Sequence, residues 1–168
     1  MQPDADEIHI RRAQKHDLDA IERLEMAAFS HDQLPRDSLR YYIGAPSVSM
    51  LVAQGQDGLC AYALVAFHRR SIVARLYSIA VAAECAGRGT GRKLMSACEA
   101  SARLRGAHWM RLEVRPDNAG ANALYHKLGY RRFAEVEDFY EDGSNALRLE
   151  KPLTAEALTR PRPRPSRM

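Results

Sequence analysis

Three glycines and three cationic side chains stand together in residues 87–93, which read GRGTGRK. The glycines let the backbone turn tightly and come close to a ligand. A helix beginning here would point its free N–H groups and its positive dipole end at an anion, and the cations would suit a diphosphate. The segment is neither a P-loop nor a GxGxxG placed for a dinucleotide. It leaves two alternatives open: a phosphate site, or a tight connection whose cations face water.

Two other side chains could carry acid–base chemistry. Residues 108–115 alternate as a strand does, with Arg111, Glu113 and Arg115 on one face. Glu113 could therefore be a general base, or it could pair with a neighbouring arginine. Tyr125 lies in a helical segment in phase with Ala121, where it could donate a proton or simply pack in the core.

The remaining reactive residue types indicate no metal and no covalent intermediate. Asn118 stands where it can cap the helical segment that contains Tyr125. None of the six histidines pairs into a metal-binding pattern, and Cys60, Cys85 and Cys98 form no CxxC motif. Because no base stands beside Cys85 or Cys98, we expect no acyl-cysteine. Three widely spaced cysteines also indicate a reducing, cytoplasmic compartment.

Periodicity and turn signals define the elements that must position these residues. They predict strands at residues 8–12, 47–54, 59–68, 73–82, 108–115, 130–140 and 145–151, and helices at 17–29, 35–44, 89–105 and 118–128. Strands alternating with helices, plus hairpins at both ends, predict one mixed α/β domain. We expect this domain at residues 8–153, after a flexible arm at residues 1–7. Prolines between arginines predict an extended, mobile tail at residues 154–168.

The order of these motifs resembles the GNAT superfamily of acyl-CoA-dependent N-acyltransferases. Residues 76–81 read LYSIAV before the glycine-rich turn, and residues 112–115 (LEVR) and 118–130 (NAGANALYHKLGY) follow it. Within the superfamily, residues 8–153 are similar to RimI-type ribosomal-protein-alanine N-acetyltransferases and archaeal N-terminal acetyltransferases. The resemblance implies a GNAT-like domain with a mixed, mostly antiparallel sheet of about six or seven strands, a splayed parallel pair and about four helices.

The resemblance also implies that acetyl-CoA lies between two splayed parallel strands, here residues 73–82 and 108–115. Backbone groups of the first strand would hold the pantetheine arm, and the N–H of Val81 or a neighbour would face the developing oxyanion. The residues that the resemblance assigns to cofactor binding are Ile79, Ala80, Val81, Gly87, Arg88, Gly89, Thr90, Gly91, Arg92, Asn118 and Tyr125.

Catalytic and acceptor residues follow from the same resemblance. Tyr125 matches the tyrosine that protonates the leaving thiolate, and Glu113 matches the glutamate proposed as general base. Phe29 and Leu34 fall where a helical hairpin would wall the acceptor groove, and Tyr140 falls in the loop that would close over the acceptor.

One position departs from the family pattern. The motif Q/R-x-x-G-x-G/A would place glutamine or arginine where this chain has Ala86, although Gly89 and Gly91 are kept. Backbone N–H groups can make most of the contacts to a diphosphate. We therefore expect the turn to bind the cofactor without the glutamine or arginine side chain that Ala86 replaces, but any role of that side chain is lost.

The charge distribution narrows the possible partners. The chain has 168 residues and a net charge of +4, but residues 84–132 carry ten basic and four acidic side chains, and residues 133–153 two basic and six acidic. We assign the first excess to cofactor phosphates and the second to a cationic acceptor. The basic tail lacks interleaved aromatic residues, so no nucleic acid is expected. No apolar run reaches the roughly 20 residues of a membrane span, and no signal peptide is recognisable.

Three functions remain open at this point. The resemblance favours an acetyl-CoA-dependent N-acetyltransferase in which a protein N-terminal α-amine, such as a ribosomal-protein alanine, attacks the thioester directly. A small-molecule amine is the alternative acceptor, and a non-catalytic acyl-CoA-binding module is the alternative without chemistry. An α-amine has a pKa near 8, so roughly a tenth of it is neutral at pH 7 and a mild base suffices.

Many members of the superfamily are dimers, so a homodimer is also an expectation.

Overall fold

The computed structural model describes residues 7–164 and contains a seven-stranded sheet in the order β1-β2-β3-β4-β5-β7-β6. The strands are β1 (His9–Arg12), β2 (Val48–Gly55), β3 (Gly58–Phe67), β4 (Val73–Val81), β5 (Trp109–Val114), β6 (Arg131–Val136) and β7 (Ala146–Pro152). Every neighbouring pair is antiparallel except β4 and β5, which are parallel. This sheet confirms the predicted fold class.

Helices cover both faces of the sheet. They are α1 (Leu18–Ala28), α2 (Arg36–Tyr42), α3 (Thr90–Leu104), α4 (Ala119–Lys127) and α5 (Ala155–Thr159), one more than expected. The apolar stripe of α1, including the fully buried Ile21, packs with β2 and β3 in one core. Leu94, Met95 and Cys98 of α3 pack on the opposite face in a second core that includes Tyr125. The site residues therefore lie between two separately packed layers.

An extra residue in β4 changes which face its side chains occupy. Leu64 of β3 pairs with Ser78, whereas the next residue of β3 pairs with Leu76, so Tyr77 is the bulged residue. Leu76 consequently lies in the core under α3, and Ser78 contacts Glu25 of α1 on the other face. A bulge re-aims the residues that follow it, and here it does so beside the parallel pair.

The parallel strands pair over only part of their length. The register joins Val73 to Trp109 and ends where Leu76 meets Leu112. Both strands continue further, β4 to Val81 and β5 to Val114, without pairing to each other among the described residues. The separation that follows is the splayed pair implied by the resemblance.

The C-terminal residues differ from the sequence prediction. An extended tail was expected from residue 154, but residues Ala155–Thr159 form α5. Thr154 caps this helix by accepting the N–H of Ala157 at 3.3 Å, and Ala157 is buried against the domain. Residues 1–6 of the expected N-terminal arm and residues 165–168 lie outside the described part of the chain. Within residues 7–164, no helix is long and apolar enough to cross a membrane.

Candidate active site

A cavity of about 470 Å³ lies where β4 and β5 separate. The end of α1 and the loop after it, the middle of β4, the end of β5, α4 and the loop between β6 and β7 all contribute to its wall. Among its lining residues are seven of those singled out from the sequence, namely Phe29, Leu34, Ile79, Glu113, Asn118, Tyr125 and Tyr140. A single cavity thus contains both proposed catalytic residues and all three proposed acceptor residues.

Tyr125 is held rigidly at the wall of this cavity. Its side chain is 5% exposed, and its ring packs edge-on against Tyr130 with a centroid separation of 5.7 Å. Burial, with smaller effects from Cys98 and Tyr140, raises the pKa of Tyr125 above the ordinary value of a phenol. The hydroxyl is therefore protonated at neutral pH and can act as a proton donor.

Glu113 lies at the same cavity within an arginine-rich environment. The Nε of Arg75 donates to Oε2 of Glu113 at 3.3 Å, and Nη2 of Arg75 donates to Oε1. Arg148 approaches Oε1 with its Nε at 3.3 Å. The ion pair that the sequence offered as the alternative is therefore present, and the base role of Glu113 stays a prediction.

Arg115 joins two loops that border the cavity. Its guanidinium contacts Asp32, in the loop after α1, at 3.2 Å, and Asp142, in the loop after β6, at 2.9 Å. The backbone N–H of Glu141 also donates to Asp32 at 3.0 Å. Arg115 lies 4.1 Å above the ring of Tyr140, whose pKa burial raises to about 12. Together these contacts fix Tyr140 as part of the cavity wall.

Beyond the paired residues, the edge of β4 on the β5 side faces the separation between the two strands. Through its other edge the strand pairs with β3, joining Ile79 to Ala63 and Val81 to Ala61. Among residues 7–164, the edge facing β5 has no strand partner from Tyr77 to Val81. Its backbone groups can therefore hydrogen-bond an extended ligand as an added strand would. Ile79 lines the cavity, whereas Ala80 and Val81 do not.

Comparison with known proteins identifies the family to which this chain belongs. The model of the acetyltransferase (GNAT) family matches residues 17–130, which is more than half of the chain. This chain belongs to the GNAT acetyltransferase family. It is an acyltransferase, and its acetyl donor is acetyl-CoA. The sequence-based predictions of enzyme class and cofactor are confirmed.

Three proteins illustrate how this GNAT chain relates to others. An uncharacterized N-acetyltransferase of Methanocaldococcus jannaschii is 29% identical over 84% of this chain and 90% of its own length. A ribosomal-protein alanine N-acetyltransferase of Escherichia coli superposes with a TM-score of 0.78 at 24% identity, covering 88% of this chain and 95% of that one. An acetyltransferase structure from Salmonella typhimurium, with its cofactor acetyl-CoA, superposes with a TM-score of 0.75 at 25% identity over 88% and 95%.

The glycine-rich turn fits the anionic part of acetyl-CoA. Gly87 and Gly89 both have φ of +77°, a conformation that glycine adopts without strain, and α3 begins at Thr90 directly afterwards. The hydroxyl of Thr90 is buried and has no hydrogen-bond partner among the described residues. An orphan hydroxyl beside the free N–H groups of a 15-residue helix matches a phosphate ligand.

The turn itself does not line the cavity that contains Tyr125. Of residues 87–92, Arg88 lines a separate cavity of about 430 Å³, together with Cys60, Cys85 and Lys93. The structure thus divides the proposed cofactor residues between two places, the strand separation and the start of α3.

Sequence reasoning missed a buried polar group at the inner wall of the cavity. Glu25 of α1 is 1% exposed and accepts hydrogen bonds from Tyr62 Oη at 2.5 Å and from Ser78 Oγ at 3.2 Å. Burial raises the pKa of Glu25, and the two hydrogen bonds oppose that shift. Glu25 falls on the apolar stripe of α1 beside Leu24, and a carboxylate at such a position was the signal available in the sequence.

Arg75 is a second residue that the sequence did not single out. It lines the cavity and holds Glu113, yet it stands in a strand whose other members are mostly apolar. Within residues 7–164, no group of three or more His, Cys, Asp or Glu side chains could hold a metal ion.

Proposed function

We propose that this GNAT enzyme transfers the acetyl group of acetyl-CoA to the α-amine at the N-terminus of a protein, with alanine or another small residue first. The observation that carries the proposal is the joint lining of one cavity by Tyr125, Glu113 and the acceptor residues. The Escherichia coli protein with the same fold is named for acetylating a ribosomal-protein alanine, which supports this acceptor class. The setting we propose is cytoplasmic.

The chain supplies two proton-transfer groups for this reaction. Glu113 takes the proton of the acceptor ammonium, directly or through one water, and Arg75 orients its carboxylate. Tyr125 is protonated at Oη and donates this proton to the thiolate of CoA as the C–S bond breaks. The bound acetyl-CoA supplies an activated thioester, and the unpaired edge of β4 holds its pantetheine arm. The backbone N–H of Val81 or a neighbour donates to the oxygen that becomes negative.

The cysteines of the chain support direct transfer to the amine. Burial raises the pKa of Cys60 to about 11 and that of Cys98 to about 12, so both are thiols at neutral pH. A thiol is a poor nucleophile compared with a thiolate. None of the three cysteines, Cys60, Cys85 and Cys98, lines the cavity with Tyr125. An acyl-cysteine intermediate is therefore disfavoured.

Acceptor profiling tests the proposal. The enzyme is incubated with acetyl-CoA and with peptides that begin with Ala, Ser or Met, and release of free CoA is measured. We expect turnover of the Ala and Ser peptides, and loss of that turnover when the same peptides carry a blocked N-terminus. Acetylation of lysine side chains alone would contradict the proposal, because the acceptor would then not be the α-amine. A lysine, with a pKa near 10.4, would also require a stronger base.

A small-molecule amine is the second candidate acceptor. A cavity of about 470 Å³ lies within the size range of small-ligand sites. A panel of free amino acids, polyamines and amine-containing drugs, run in the same assay, separates the two acceptors. Turnover of free amines without turnover of any peptide would favour this candidate over the first.

A further inference from the structure

A groove runs along the sheet next to the cavity that contains Tyr125. It has a volume of about 510 Å³ and lies on the face of β4 and β5 opposite α3. Arg75, Tyr77 and Glu113 line both the groove and the cavity, so the two spaces adjoin. Farther from the cavity, the groove is lined by Arg111 and Phe133.

The C-terminal residues of the same chain form one wall of this groove. After α5 the chain continues through residues 160–164, and both Pro163 and Arg164 contribute to the groove wall. Arg111 donates from Nη2 to the carbonyl oxygen of Pro163 at 2.6 Å. The Nε of Arg162 lies 2.9 Å from Oε1 of Glu150, a carboxylate that is only 1% exposed.

These contacts define what kind of chain the groove accepts. Glu150 offers a carboxylate to a guanidinium, and Arg111 offers a donor to the backbone carbonyl of the next residue along the docked segment. Alternating proline restricts the unbound segment to extended conformations, which lowers the entropy lost on docking. Arg111 is itself fixed by a 3.0 Å hydrogen bond to Glu150 and by the ring of Phe133 at 4.5 Å.

The segment is held by few contacts. Arg162 is 61% exposed, so solvent screens part of its attraction to Glu150. The docked segment can therefore leave and return, and its proximity along the chain gives it a high effective concentration at the groove.

We propose that this groove, on the open face of β4, β5 and β7, is a docking site for an extended peptide of alternating arginine and proline. The chain's own residues 162–164 dock there in cis through Arg111 and Glu150, and they compete with a peptide acceptor that leaves the cavity along the same face. The competition, but not the docking, rests on the function proposed above.

A labelled peptide tests the docking without any turnover. The probe has the sequence of residues 159–168, TRPRPRPSRM, and its binding to the full-length protein is followed by fluorescence anisotropy. Arg162→Glu places a negative charge against Glu150 and expels the cis segment. We expect the probe to bind this variant about threefold to tenfold more tightly than the unmodified protein, because the groove is no longer occupied.

Arg160→Glu is the matched control. Arg160 pairs with the exposed Glu156 of α5 at 3.7 Å, so this variant changes the charge next to the segment without opening the groove. Probe affinity that is equal for the unmodified protein and the Arg162→Glu variant would overturn the docking.

The competition is read from acceptor kinetics. In the Arg162→Glu variant, the KM for a peptide acceptor should fall by a similar factor, while the KM for acetyl-CoA stays constant. Added probe should raise the acceptor KM again without lowering kcat. An unchanged acceptor KM in a variant that binds the probe would overturn the competition. If no peptide is acetylated at all, the proposed acceptor class fails, and probe binding still decides the docking.

Discussion

Arg75 of β4 donates two hydrogen bonds to the carboxylate of Glu113 of β5, next to the point where the parallel strands separate. Both residues therefore line the cavity that contains Tyr125, and both also line the groove next to the C-terminal segment. A carboxylate in this position can be structural, joining two strands, or it can also serve as the base.

Replacing Glu113 separates these two roles. Glu113→Gln removes the proton acceptor but keeps a polar side chain of the same shape, so we expect kcat to fall about 10²-fold with acetyl-CoA affinity unchanged. Arg75→Gln leaves the carboxylate with Arg148 and should reduce kcat much less. Steady-state kinetics and thermal unfolding of both variants check this. A lower Tm with nearly normal kcat in Glu113→Gln would assign the residue to structure alone.

The phenol of Tyr125 should matter for chemistry rather than for binding. Tyr125→Phe keeps the ring that packs on Tyr130 and removes only the hydroxyl, so we expect kcat to drop about 10-fold to 10²-fold. Calorimetry should show the same affinity for acetyl-CoA. Tyr130→Phe is the control, since its hydroxyl bonds Glu99 outside the cavity. Equal turnover of Tyr125→Phe and the unmodified enzyme would show that the hydroxyl of Tyr125 is not the proton donor.

The Arg115 bridge should govern the acceptor but not the cofactor. Its guanidinium reaches Asp32 and Asp142 at the same time, and a lysine offers one compact charge that cannot span both. Arg115→Lys is expected to raise the acceptor KM about threefold to tenfold while the KM for acetyl-CoA stays constant. Arg132→Lys, which alters only an exposed pair with Glu135, should change neither constant.

The buried carboxyl of Glu25 predicts a specific dependence of stability on pH. Its pKa is raised in the folded protein, so the stability it contributes is full below the unfolded pKa of about 4.3 and is lost as pH rises through the folded pKa. Glu25→Gln removes that loss. The Tm of the variant relative to the unmodified protein should therefore increase from pH 5 to pH 8. A constant difference across this range would show that Glu25 does not titrate there.

Local patterns were sufficient for much of the fold. Alternation and turn residues identified all seven strands, because each strand has a buried face or a Gly-containing turn beside it. The end of the chain was predicted less well. The proline-rich composition concealed α5, whose cap at Thr154 and buried Ala157 depend on contacts with the domain. Composition alone cannot report such contacts.

Long-range pairing explains what the sequence could not provide about the site. The bulge at Tyr77, which turns Ser78 toward Glu25, depends on the register with β3. Likewise, the partners of Glu113 come from β4 and β7, far away in sequence. The order of motifs could suggest that Glu113 and Tyr125 share a site, but only the packed strands bring Arg75 into it.

The charge pattern also needs revision at the level of single residues. The excess in residues 84–132 was assigned to cofactor phosphates, yet Arg111 of that stretch donates to the carbonyl oxygen of Pro163, and Arg115 pairs with Asp32. In the acidic stretch, Asp142 pairs with Arg115, and Glu150 pairs with Arg111 beneath the groove. Segment sums thus separate charges that the fold pairs with one another.

Thr90 offers a test in which stability and cofactor binding should move in opposite directions. Its buried hydroxyl has no partner among the described residues, and leaving a buried polar group unsatisfied costs about 1–3 kcal/mol. Thr90→Val keeps the shape and removes that cost, so we expect a higher Tm. If the hydroxyl binds a phosphate of acetyl-CoA, the same variant should raise the KM for acetyl-CoA about tenfold, and Thr90→Ser should restore it. A higher Tm with an unchanged KM would remove Thr90 from the cofactor site, because the hydroxyl would then be a buried polar group that no phosphate satisfies.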